Sequence, residues 1–196
     1  MTQRKDNNDL FDAGCKNDEQ IPRSFTAFFE EVGEGTKGEV KVILNGMSQL
    51  GDVINDNSYT NDFYRYHDVF HYTFAAVLGW SPCSRAMMRR KRKSYELVDK
   101  IEDGARASIT EEAISMIVFN EAKRKDYFNN VNKVSKITLR IIKEMTENFE
   151  VKVRSAEEWE RAILKSYEMF RLLIKNHGGK VEFDLITKEV AYSKLN

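Results

Sequence analysis

The sequence is poor in the residues that staple, break or anchor a chain. It has two cysteines, Cys15 and Cys83, two prolines and ten glycines in 196 residues. Two cysteines this far apart make neither a disulfide framework nor a zinc knuckle, and both read as free thiols of a reducing compartment. No apolar run nears the roughly 20 residues needed to cross a bilayer, and the polar N-terminus lacks the apolar core of a signal peptide. No membrane partner is therefore expected, and a cytoplasmic setting is. Net charge is zero, from 31 basic and 31 acidic residues, which removes any global electrostatic case for nucleic acid or an anionic surface. A Gly-rich phosphate loop, a Ser–His–Asp arrangement and a CxxC pair are all missing. Scarce proline, with 41% hydrophobic and 32% charged residues, fits a helix-rich globular domain.

Residues 1–23 read as a flexible polar arm and 24–196 as a single, mainly helical domain. The spacing of Phe25, Phe28 and Phe29 predicts a short helix over 24–32. Residues 39–44 alternate and are β-branched, which predicts a strand, and Asn45-Gly46 is a turn signal after it. Gly33 to Gly38 reads as loop and 51–59 as an irregular connection. A helix is expected from Asp62, as N-cap or first-turn acid, to Gly79, with Pro82 just beyond. A short helix over 84–89 precedes the basic run Arg89-Arg-Lys-Arg-Lys93. A helical pattern covers 95–107, with Gly104 a bend, and another helix is expected to start at Thr110-Glu-Glu. Helical spacing recurs over 134–148, and Ser155-Ala-Glu-Glu158 is a capping box that opens a helix through Asn176. Residues 180–192 read as a terminal β-hairpin. Trp159, Tyr167 and Phe170 are assigned to the core.

The densest chemistry lies at Asp62-Phe-Tyr-Arg-Tyr-His-Asp-Val-Phe-His71. Two of the three histidines are four residues apart here, and on a helix His67, Asp68 and His71 share a face. Imidazole and carboxylate together suit Mg, Mn or Zn, or an acid–base pair. A hydrogen-bonded network bracing the helix start is the alternative. A second constellation is Glu102-Asp103, Arg106 and Glu111-Glu112. These acids are either ligands for Mg on a phosphate chain or, for Glu111 and Glu112, first-turn acids complementing a helix dipole. The basic run supplies Arg92 and Lys93 as candidate phosphate contacts, unless it is merely solvated.

These segments together, with Ser-Pro82, Arg-Lys-Arg-Lys-Ser94 and Thr110-Glu-Glu-Ala-Ile114, resemble the C-terminal domain of MazG-type nucleotide pyrophosphohydrolases over roughly 40–192. The resemblance implies a helical core related to the all-α NTP pyrophosphohydrolases, with a small β element at 39–44 and 180–192. It implies an activity that splits an NTP or dNTP into monophosphate and pyrophosphate with Mg2+ or Mn2+, and compact relatives of that kind often form a homodimer. The family pattern carries Glu-x-x-Glu and Glu-x-x-Asp pairs. Asp68 matches the Asp, with Arg65 where its Glu would stand, and Glu112 matches a first Glu, with Ser115 where its partner would stand. His67, Asp68 and Glu112 are the expected catalytic residues. Asp68, His71, Glu102, Asp103, Glu111 and Glu112 are the expected metal ligands, and Asp62, Arg65, Arg92, Lys93 and Arg106 the substrate contacts. Two alternatives stand beside the enzyme: a non-catalytic nucleotide- or protein-binding regulatory module of a phage or phage-defence system, and a His-Asp-type phosphohydrolase.

Overall fold

The computed structural model describes residues 10–32, 38–44 and 53–195. Its largest departure from expectation is a five-stranded antiparallel sheet in the order β3-β2-β1-β4-β5. The strands are β1 (Ser24–Val32), β2 (Glu39–Leu44), β3 (Ile54–Asn55), β4 (Gly178–Asp184) and β5 (Glu189–Ser193). The domain is therefore α+β, and the mainly helical class with a small β element is corrected. Segment 24–32 is the reason. Phe25, Phe28 and Phe29 mimic a helical stripe, but the buried set is Phe25, Ala27 and Phe29, which is the period-2 alternation of a strand. Pairing on both edges, Phe28 with Ile43 and with Lys180, makes β1 the central strand. The expected strand at 39–44 and the C-terminal hairpin are its neighbours. The Asn45-Gly46 turn and all but Gly38 of the loop at 33–38 lie outside the described residues.

One face of the sheet packs on α1 (Asp68–Leu78) and α6 (Ala156–Asn176). All of α1 is buried, as a helix that is apolar beyond Asp68, His71 and Thr73 requires. It begins later than expected: residues 64–66 form a 3-10 turn after Phe63, whose φ is 65°. Asp56 organises this turn by accepting from the backbone N–H groups of Asp62, Phe63 and Arg65. Gly79, at φ 71°, closes α1 by donating to the Ala75 carbonyl, the left-handed cap that glycine adopts without strain. Trp159, Tyr167 and Phe170 lie in the core, and the Ser155–Glu158 capping box forms as expected.

Between α1 and α6 run α2 (Pro82–Met87), α3 (Glu96–Ile101), α4 (Ala105–Lys123) and α5 (Lys136–Met145). The bend expected at Gly104 is a break that ends α3 and starts α4. A Cβ on Gly104 would collide with the Lys100 carbonyl, so only glycine permits the two helices to approach so closely. Since α4 starts at Ala105, Glu111 and Glu112 sit in its second turn. The expected helix start at Thr110 is corrected, and with it the dipole role for these acids.

The described part of the N-terminal arm, residues 10–23, is packed rather than loose. Ile21 is 1% exposed and Asp12 2%. Asp12 accepts from Arg85 at 2.8 Å, Arg23 at 2.7 Å and the Ile21 N–H at 2.8 Å. Burial would raise the Asp12 carboxyl, but Arg85 and these donors outweigh it and hold the group below its ordinary value.

Candidate functional site

The first turn of α1 aims His67 and His71 at the second turn of α4, with Asp68 beside His67. His71 is 1% exposed. Its Nδ1–H donates to Glu111 Oε1 at 2.8 Å, and its Nε2 lies 3.3 Å from Glu112 Oε1. That second contact is not aligned as a hydrogen bond, and His71 Nε2 is a buried atom without a hydrogen-bond partner. His67 donates from Nδ1 to the Tyr64 carbonyl at 3.0 Å, and the Tyr64 ring stacks flat on the imidazole at 4.3 Å. Its other nitrogen lies 3.5 Å from Asp68 Oδ1. Ligand atoms of His67, His71 and Glu112 fall within 4.8 Å of one another.

Glu111 is the anchor of this arrangement. It is fully buried and accepts from His71, from Ser81 Oγ at 2.7 Å and from the Cys83 N–H at 2.8 Å. A buried carboxylate is tolerated only when paired and hydrogen-bonded in this way. It ties α1, the start of α2 and α4 to one point. Burial alone would depress the His71 pKa, but the adjacent Glu111 carboxylate raises it well above its ordinary value. Burial also pushes the Cys83 thiol up, to about 12. For His67 burial prevails over Asp68, and its pKa is lowered. Glu112 has a side chain 48% exposed; burial of the remainder would raise it, but His71 and His67 draw it down to about 2.

The structure thus brings together His67, Asp68, His71, Glu111 and Glu112, and leaves the other candidates elsewhere. Asp103, at 0% exposure, is held by Arg92 at 2.7 Å and faces Arg85 at 3.7 Å. Glu102 accepts the Glu150 N–H on both oxygens. Neither acid faces the histidines, because α3 turns them toward the Arg85–Arg92 layer. Arg92 is buried and also bonds Glu150 at 2.7 Å; it is structural, not a phosphate contact. Arg65 is likewise spent, on Asp56 at 3.1 Å and Glu31 at 3.2 Å. Asp62 pairs with Lys123 at 2.8 Å, at the far end of α4. Lys93 and Arg106 are exposed, and Arg106 lines a surface hollow with Thr110 and Phe149. His177 sits at the end of α6, 3.1 Å from Glu31, and does not join the other histidines.

Sequence reasoning missed Tyr64, Ser81 and Cys83 as members of the site. The Ser-Pro pair at 81–82 is a helix-start signal, but nothing local marks a glutamate thirty positions onward as its acceptor.

The MazG C-terminal domain family model matches residues 6–196. The chain belongs to that family. No curated protein and no solved structure matches it. The matched span takes in the packed segment 10–23. Among the described residues no helix is long and apolar enough to cross a membrane.

Proposed function

We propose that this MazG C-terminal domain is a metal-dependent nucleotide pyrophosphohydrolase that cleaves an NTP or dNTP to the monophosphate and pyrophosphate. The observation that carries the reading is the convergence of His67, His71 and Glu112 from two helices on one half-open point, with Asp68 beside His67. A divalent ion held there would neutralise charge on the phosphate chain and polarise the phosphoryl group. The chain's own residues do the rest. His71, fixed by Glu111, and Glu112 hold the ion. His67, fixed by Tyr64, would be the third ligand, and Asp68, 3.5 Å from its ring, can orient water and take its proton. Buried α1 behind them excludes bulk water from one side, and half-exposed Glu112 leaves the other open to substrate.

Pyrophosphate release should be measured across the NTPs and dNTPs with Mg2+, Mn2+ and Zn2+. Turnover is expected in the wild type, with a loss of at least about a hundredfold in Asp68→Ala and Glu112→Gln. The absence of release from every nucleotide with every ion would overturn the reading. A second reading, a nucleotide-binding module without chemistry, is favoured by one specific observation. Arg65 and Arg92, the cations expected on phosphate, are both committed to carboxylates. Saturable nucleotide binding without turnover, unaffected by chelator, would select it.

A further inference from the structure

We propose that His67, His71 and Glu112 bind a nitrogen-tolerant transition ion of the Zn2+ or Co2+ class, and not the Mg2+ expected of an acid-only site. This deepens the proposed function, resting on it for the reaction but not for the ion.

The donor set is the first ground. Mg2+ requires near-octahedral oxygen ligation and surrenders water reluctantly. Two imidazoles and one carboxylate are instead the open three-ligand set of catalytic zinc sites, and imidazole suits the later first-row ions. Glu102 and Asp103, which would have supplied further oxygens, are held by the Glu150 N–H and by Arg92.

Spacing is the second. Bonds of about 2.0–2.1 Å in a tetrahedral shell put neighbouring ligand atoms roughly 3.3–3.4 Å apart, and His71 Nε2 lies 3.3 Å from Glu112 Oε1.

Orientation is the third, and it discriminates a built site from a chance cluster. His71 Nε2 is buried, unpartnered and aimed at the cluster, while its other nitrogen is fixed by Glu111. A ligating histidine whose far N–H is held by a carboxylate is the usual outer shell of such an ion. His67 repeats the device with the Tyr64 carbonyl. Asp68, 3.5 Å from the His67 imidazole, stands beside the three ligands rather than among them and can accept from a water at the fourth position. The second grouping, His71 with Cys83 and Glu111, does not compete, since Glu111 spends both oxygens on His71, Ser81 and Cys83 N–H.

The test uses untagged full-length protein stripped with chelator and dialysed against Zn2+, Co2+, Mn2+ or Mg2+ separately. One Zn2+ or Co2+ per chain should be retained in the presence of excess Mg2+, and Co2+ should give the intense visible bands of a tetrahedral site. His67→Ala and Glu112→Gln should each weaken retention at least about tenfold, and Glu111→Gln about 10–100-fold through the outer shell. The first two variants should melt like the wild type in chelator, which separates lost binding from lost folding. No stoichiometric transition-ion binding, equal competition by Mg2+, or retention unchanged in both ligand variants would overturn the proposal. Ion binding without nucleotide hydrolysis would instead sink the pyrophosphohydrolase reading and leave the ion site standing. Hydrolysis supported by Mg2+ in a protein that retains no transition ion would do the reverse.

Discussion

Replacing Glu111 with alanine would strip a buried imidazole, a serine hydroxyl and a backbone N–H of their shared acceptor. Such a loss leaves a buried group charged or unsatisfied and typically costs roughly 3–5 kcal/mol. Urea unfolding of Glu111→Ala should show a fall of that size, while Glu112→Ala, half in solvent, should shift the midpoint little. Equal effects would contradict the division between an anchoring and an open acid. The two residues are adjacent and chemically identical, and no local pattern separates them. The closeness of His67 and His71 was legible because i, i+4 spacing on a helix puts both on one face. Which of Glu111 and Glu112 is buried depends on where α4 starts and what it meets, and that is a tertiary matter. Arg65 and Arg92 show the opposite limit. Charge invites a phosphate, but each arginine is buried with two carboxylates, one of which lies 34 or 58 residues away in sequence.

At the level of elements, Gly104 decides how α3 hands over to α4. Gly104→Ala would force a Cβ onto the Lys100 carbonyl, and the backbone shift should cost on the order of 1–3 kcal/mol. It should also reduce ion retention, because α4 carries Glu111 and Glu112; thermal melting and metal stoichiometry on the same sample check both. An alanine variant indistinguishable from wild type would show that the break is not glycine-dependent. Ser155→Ala should cost about 1 kcal/mol through loss of the α6 cap, with no effect on ion binding. Capping boxes and hairpins were readable in the sequence because their signals are local and their residues few. The misread elements failed for an equally physical reason. Residues 24–32 carry two periods at once, and the one that prevails rests on Ala27, whose methyl group gives almost no hydrophobic signal. Thr110-Glu-Glu imitates a helix start because acids near an N-terminus are favourable, and only the close approach at Gly104 moves the true start five residues earlier.

Across the whole molecule, the N-terminal segment is fastened through a layer of buried arginines as well as through the apolar contacts of Leu10, Phe11 and Ile21. Asp12 is the clasp, and its carboxyl lies below its ordinary 3.8 in the folded protein. Its contribution is therefore complete at pH values above 3.8 and is lost as pH falls through the depressed folded value. Asp12→Asn should lower stability at neutral pH and flatten the acid limb of the stability curve. A mutant limb parallel to that of the wild type would show that other carboxylates govern acid unfolding. Cleavage near residue 20 by a protease at neutral pH should accelerate in the same variant, since Asp12 joins Ile21 and Arg23 to Arg85.

The sheet order also has a consequence for the protein's birth. β1, the central strand, finds one neighbour within a few residues but the other, β4, only at the opposite end of the chain. During synthesis on the ribosome the alternating Phe25–Ala27–Phe29 edge must wait, unpaired, until nearly every helix has emerged. Long-range strand pairing of this kind is slow and leaves a sticky edge in the meantime. Nascent chains halted before residue 178 should bind holdase chaperones through β1, and release should coincide with the arrival of the final hairpin.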